Sequence, residues 1–412
     1  MSSPAPARVA TSWSGVAYGI ALGYLAAYLQ FKVPPVLPVL FDSYDYGAFV
    51  GGGLMSVFAL AGLLFAVPVG HAIQRHGAVP FLAGAFVLLG AGSVLGLVRP
   101  EDGGLMLVAR GLEGLGAVVL AVCMTAFANM NAGPRHLHVV VGIQATWIPM
   151  GQVVTNAVAT PFVADGIWQP VWWAGLAGIV AMALWTVAIV AQGRIDLGPR
   201  GGRRRAADAP AVPDATLTRA EWRALLGAAT LFFLWQTQFM AYFTWLPEYL
   251  VGARGYGNDA AVLTSQLPAA VLLVMTFATG FVLRAGIAAP NLLLVGLGTQ
   301  AVGWLLVLAG DSPAWGLASL VVWGFAAGVT PTCLWALPSY LLGGQRVGTL
   351  ASGIVQSGRY LGIIVGPLLA PAVRELFTSW EATIFVFGLA TAATVPWAMA
   401  FARSARRLRA GA

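Results

Sequence analysis

From Trp13 to Phe401 the chain is a succession of apolar stretches, each about 20 residues long and separated by short polar turns, and that pattern leaves few folds open. A helix of about 20 residues rises about 30 Å, the thickness of bilayer hydrocarbon. Inside hydrocarbon every backbone N–H and C=O must be satisfied within the protein, so segments of this kind are helices. We read about twelve spans, near 13–37, 48–70, 79–98, 104–127, 139–163, 169–192, 220–249, 260–283, 289–309, 314–342, 348–372 and 380–402. With 59% hydrophobic and 9% charged residues among 412, the surface of a soluble protein of this size could not be coated.

Charge sorts by side. Sixteen basic residues, including Arg75, Arg135, Arg203–Arg205, Arg284 and Arg403–Arg409, fall on one side of these spans, and only Lys32, Arg99, Arg254 and Arg374 fall toward the other. The positive-inside rule then places both termini and the 193–219 loop in the cytoplasm. The net charge of +7 therefore reads as topology and contact with membrane lipids, not nucleic-acid binding. The first residues lead directly into a long span, which reads as an uncleaved first helix. One Lys against 21 Arg, with abundant Ala and Gly, is the composition of a GC-rich bacterial coding sequence, so a bacterial inner membrane is expected.

The basic, turn-rich stretch 193–219 divides the chain into an N-terminal bundle, 1–192, and a C-terminal bundle, 220–412. Internal repetition supports that cut. Pro38 and Pro247 lie 209 residues apart; Gly70, Arg75 and Gly77 precede Gly280, Arg284 and Gly286 by 210, 209 and 209; Gln144 and Gln356 lie 212 apart. The expected fold is an all-α membrane protein, two pseudo-symmetric bundles of six helices with a site between them.

Ionisable residues deep in hydrocarbon are costly, about 2.5–3.5 kcal/mol on insertion scales, and usually face an interior with a task there. Three fall well inside spans: Arg110, Glu113 and Arg359. On span 11, Gln356, Arg359 and Tyr360 share a polar face, where a guanidinium can grip an oxyanion bidentately or bond the carbonyls of a neighbouring helix. Arg110 and Glu113 are i, i+3 on span 4; they pair with each other, or a substrate or proton competes for one of them. Lys32 follows Tyr24 and Tyr28 at spacing four and either lines the outer cavity or snorkels to the interface. Trp235, Gln238, Tyr242 and Trp245 on span 7, and Gln144, Trp147 and Gln152 on span 5, form stripes that are core or cavity wall. Span 10 offers Thr330, Pro331 and Trp335. The four histidines fall in loops, Cys123 and Cys333 lie inside spans, and no phosphate-cradling Gly-rich loop with Lys is present. No metal, cofactor or catalytic residue is expected, and the protein is read as not an enzyme.

Gly70-His71-Ala72-Ile73-Gln74-Arg75-His76-Gly77 and the helix 4 segment Arg110-Gly111-Leu112-Glu113-Gly114-Leu115-Gly116 resemble signature segments of the major facilitator superfamily, and the resemblance covers essentially the whole chain. Gln74 stands where that family usually has an acid, and Ala78-Val79 where it has a basic pair. The ends of spans 1 and 7, the latter Trp-Leu-Pro-Glu-Tyr-Leu, look most like those of small-anion porters of the cyanate and nitroimidazole type. The resemblance implies a secondary transporter working by alternating access, with a small organic or inorganic anion as solute, protons as a coupling ion, and a monomer as the working unit. Substrate contact is expected from Arg359, Gln356, Tyr360, Lys32, Tyr28, Gln144, Trp147, Gln238, Tyr242 and Trp245, and coupling or gating from Arg110, Glu113, Arg75, Gly70 and Gly77. A proton-driven efflux pump for amphipathic drugs, and a transporter-like sensor or assembly factor without flux, are the competing readings.

Overall fold

The computed structural model describes residues 11–133, 135–193, 197, 217–308, 313–342 and 349–410. Most of the 193–219 linker lies outside this range, as do Arg8 and Arg346. The described residues form helices α1 (Trp13–Phe31), α2 (Leu37–Ser43), α3 (Ala48–His76), α4 (Ala78–Val98), α5 (Gly103–Met130), α6 (Leu137–Gln144), α7 (Trp147–Val163), α8 (Gln169–Gln192), α9 (Arg219–Gly252), α10 (Asn258–Arg284), α11 (Ala289–Leu308), α12 (Pro313–Leu342), α13 (Thr349–Phe377) and α14 (Trp380–Ala410). Eleven spans are long and apolar enough to cross a membrane, and the α6–α7 pair completes twelve crossings. Their outward faces carry apolar side chains such as Val67, Val87, Leu184 and Val187, all exposed, as a lipid-facing surface requires.

Two spans differ from the uninterrupted helices expected, and proline explains both. Span 1 ends as α-helix at Phe31, continues as a 3₁₀ turn over Pro34–Val36 and resumes as α2. Pro34 and Pro35 have no N–H to give the carbonyls four residues earlier, Gln30 and Phe31. Span 5 breaks at Ala145–Thr146, because Pro149 cannot bond the Ala145 carbonyl. The Thr146 hydroxyl lies 2.7 Å from the Ile143 carbonyl, to which it donates, and 3.0 Å from the Tyr24 hydroxyl, which fastens the break to α1.

In the first half, α5 packs on α1, α3 and α4, and α7 packs on α1; in the second, α9 packs on α13, and α12 on α10 and α11. The halves meet along two main seams, α3 on α13 and α7 on α10, with the 3₁₀ turn and α2 against α9. Twelve crossings put the start of α1 and the end of α14 on one side, the terminus side. On the far side the halves are fastened. Phe41 stacks on Trp245 at 5.9 Å, and the Ser56 hydroxyl donates to the Ile364 carbonyl at 2.6 Å.

The repeat is visible in the contacts. A Cβ on Gly114 of α5 would meet the Phe58 carbonyl oxygen of α3 at 2.4 Å; one on Gly324 of α12 would meet the Pro268 carbonyl oxygen of α10 at 2.6 Å. Both members of that pair are displaced by 210 residues. Gly77, with φ +86°, follows α3 as Gly286, with φ +97°, follows α10.

Candidate functional site

The freed carbonyls at the end of α1 decide what Arg110 does. Its Nη1 donates to Leu29 O at 2.8 Å, its Nη2 to Gln30 O at 3.1 Å, and its Nε to Leu54 O of α3 at 2.9 Å. Gln30 is the carbonyl that Pro34 leaves without a helical donor, so the guanidinium caps a helix C-terminus, where a cation is favoured. Nη1 also reaches Glu113 Oε2 at 2.5 Å. The other carboxylate oxygen receives Lys32 Nζ at 2.5 Å and the Ser93 hydroxyl of α4 at 2.5 Å.

Lys32, Arg110 and Glu113 are all buried, with Lys32 and Glu113 fully inaccessible. Aromatic faces complete the enclosure. Lys32 Nζ lies 4.1 Å from the Trp172 ring centroid and Arg110 Cζ 4.5 Å from that of Phe58. The sequence places Lys32 at an outer cavity or the membrane interface; the structure does neither. The helix stops one residue before it, and its side chain turns into the interior of the first half. The cluster holds two cations and one anion, so it becomes neutral when one proton leaves or one anion joins it.

Arg359 is the other deep guanidinium, 8% exposed on α13. Unlike Arg110, it has no ion-pair partner and no hydrogen bond to a backbone carbonyl among the described residues. Its Cζ lies 5.9 Å from the Trp335 ring of α12 and 5.3 Å from the Tyr360 ring. Trp335 is 48% exposed. Tyr360 fills the seam between the halves, since a Cβ on Gly62 of α3 would lie 2.6 Å from its ring. Gln356, one turn before Tyr360, is half-buried. The guanidinium thus lies among side chains of its own half, beside the Tyr360 ring that fills the seam, with no carboxylate against it among the described residues.

A sequence profile described as "Major Facilitator Superfamily" matches residues 20–367. The chain belongs to this superfamily. No curated protein matches it significantly in sequence. Among solved structures it resembles a single-residue mutant of the nucleoside transporter NupG, with TM-score 0.71 and 14% identity over 93% of this chain and 99% of that one. It also resembles a bacterial homologue of the human lysosomal transporter Spinster, captured inward-facing and unoccupied, with TM-score 0.70 and 16% identity over 96% and 97%. At these identities the likeness is one of fold.

Within this superfamily fold the remaining candidate residues disperse. Tyr28 donates to the Val171 carbonyl at 2.8 Å inside the first half. Gln144 donates to Asn129 Oδ1 at 3.1 Å, and Trp147 is half-buried at the start of α7. Gln238 accepts from Trp304 Nε1 at 2.9 Å and from the Thr391 hydroxyl, and Tyr242 stacks on Trp323 at 3.8 Å; both belong to the interior of the second half. Trp245 is a far-side fastening, donating to the Pro367 carbonyl at 2.9 Å. Gln152 is 4% exposed with neither amide atom bonded. Gly70 and exposed Arg75 lie at the terminus-side end of α3, with Gly77 just beyond it.

The 210-residue displacement that takes Gly114 to Gly324 takes Glu113 to Trp323, so the position that holds a buried carboxylate in one half holds an indole stacked on Tyr242 in the other. Sequence reasoning does not reach Ser93, Trp172 and Phe41. A Ser or an aromatic residue inside an apolar span carries no signal of its own, and their roles emerge only once Lys32 and Trp245 are placed.

Proposed function

We propose that the protein is a secondary transporter that carries a small organic or inorganic anion across a bacterial inner membrane by alternating access. One observation supports this above the others: Arg359 is a buried guanidinium next to Tyr360, which fills the seam between the halves, and it has no carboxylate to neutralise it among the described residues. An isolated buried cation is expensive, and an anionic solute that arrives and leaves offsets that cost transiently. Gln356 and Tyr360 supply polar contacts on the same helix face, and Trp335 an aromatic wall. Arg110, Glu113 and Lys32 couple occupancy to movement, with protons as the exchanging ion, because the excess positive charge of their cluster disappears when one proton departs. Both termini lie in the cytoplasm on this reading, and the working unit is a monomer that acts as a carrier and not an enzyme.

The exposed Trp335 ring beside the cation is the one feature that favours efflux of amphipathic compounds instead. A thermal-shift screen of purified protein separates the two. Small mono- and dicarboxylates or inorganic oxyanions should raise the melting temperature, and Arg359→Gln should abolish the rise. Stabilisation by cationic dyes alone would replace the anion reading with the efflux one.

A further inference from the structure

On the terminus side, α9 and α14 part to leave a surface groove of about 560 Å³, within the range of ligand pockets. Arg223, Ala224 and Gly227 line it from α9, and Trp397, Phe401 and Arg407 from α14. The groove follows from residue size. A Cβ on Gly227 would stand 3.1 Å from the Phe401 ring, so the helices close there, while alanine at 224 leaves room above.

The polarity of the groove is graded along the membrane normal. Arg223 lies one turn into α9 and Arg407 three residues before the end of α14, and both are exposed. Neither has an ion-pair or hydrogen-bond partner among the described residues. The neighbouring Arg406 is committed to Asn291 Oδ1 at 3.0 Å, and Glu221 turns inward to cap Thr218. Trp397, 52% exposed, lies ten residues deeper than Arg407, about 15 Å along a helix. Two unpaired guanidinium groups therefore stand above an apolar trough.

We propose that this groove is a binding site for one anionic phospholipid. Its phosphate would be held between Arg223 and Arg407, and an acyl chain would lie along Trp397 and Phe401. Guanidinium forks match phosphate oxygens, and arginine close to the membrane surface draws anionic lipid. Charge complementarity selects this occupant over a second protein, because two unpaired guanidinium groups stand over a trough lined by Ala224, Gly227, Trp397 and Phe401. The site is separate from the transport reading and stands without it.

Native mass spectrometry of delipidated full-length protein tests the proposal, with phosphatidylglycerol and phosphatidylcholine of identical chains added in parallel. One phosphatidylglycerol should be retained with a preference of roughly 30-fold, the sum expected of two arginines. R223Q/R407Q should bring that preference near parity, R223K/R407K should keep most of it, and Gly227→Leu should weaken both lipids by filling the trough. Size exclusion and far-UV circular dichroism establish that each variant is folded; if the Gln pair does not fold, the Lys pair and Gly227→Leu decide. Equal retention of the two lipids overturns the proposal. So does equal competition by free glycerol phosphate, which would make the site one for a soluble anion. Adducts that appear only after residues 198–216 are replaced by a Gly-Ser linker would also overturn it, by showing that the chain fills its own groove.

Discussion

Lys32 and Glu113 meet at 2.5 Å across 81 residues of sequence, and both are buried. Around them the same carboxylate also holds Arg110 and Ser93. The arrangement joins α1, α4 and α5 into one unit and gives the first half a charged centre. At the place corresponding to Glu113 the second half has Trp323, stacked on Tyr242. The two halves share their backbone plan and differ in what fills it.

The cluster's charge count orders its mutants. Glu113→Gln leaves two buried cations without an anion and should destabilise the protein by about 3–5 kcal/mol, the cost of breaking a buried pair. Lys32→Met leaves the Arg110–Glu113 pair neutral and should cost less. Adding Lys32→Met to Glu113→Gln should recover part of the loss. Chemical or thermal unfolding in detergent provides the comparison, and a Lys32→Met variant weaker than Glu113→Gln would contradict the charge count.

Helix α13 lies against α9 closely enough that substitution of its glycines should separate two outcomes. A Cβ on Gly358 would sit 2.0 Å from the Ala229 carbonyl oxygen, whereas one on Gly353 meets nothing within 4 Å. Gly358→Ala should cost about 1–3 kcal/mol through overpacking. Gly353→Ala should be neutral or stabilising by up to about 1 kcal/mol, since alanine favours helix over glycine. Melting temperatures of the two variants, measured side by side, check the contrast; equal values would mean the helices are not in contact at Gly358.

The far-side fastening should hold the halves together there. Trp245→Ala removes both the stack on Phe41 and the bond to the Pro367 carbonyl, so the far side should open more often. Spin labels at the exposed positions Asp45 and Tyr256 would report a larger population at long distance in the variant. An unchanged distance distribution would show that Trp245 packs without gating.

Much of the fold is legible in the chain because hydrocarbon imposes a single rule on backbone polar groups. The apolar runs mark the helices, and Pro38 with Pro247 and Gly77 with Gly286 mark the repeat. Both spans that break do so at prolines plain in the sequence, yet where each half-helix ends depends on partners such as Tyr24 and Arg110. The site is harder to read. Arg110 and Glu113 can be paired from their spacing, but Lys32 joins them through a turn at Pro34–Pro35 whose direction no local pattern encodes. Gln238 and Tyr242 share a stripe with Trp245, and the structure divides that stripe between the interior of one half and the seam between the two. Rotation of a helix about its axis, which hydropathy barely constrains in an apolar span, makes that division.

Arg359 is proposed as the residue that holds the transported anion. Purified protein in proteoliposomes, loaded with and challenged by small radiolabelled carboxylates and inorganic oxyanions, tests it most directly. Saturable flux of at least one such anion is expected, abolished in Arg359→Gln and partly kept in Arg359→Lys, with both variants folded. Anion flux undiminished in Arg359→Gln would contradict it.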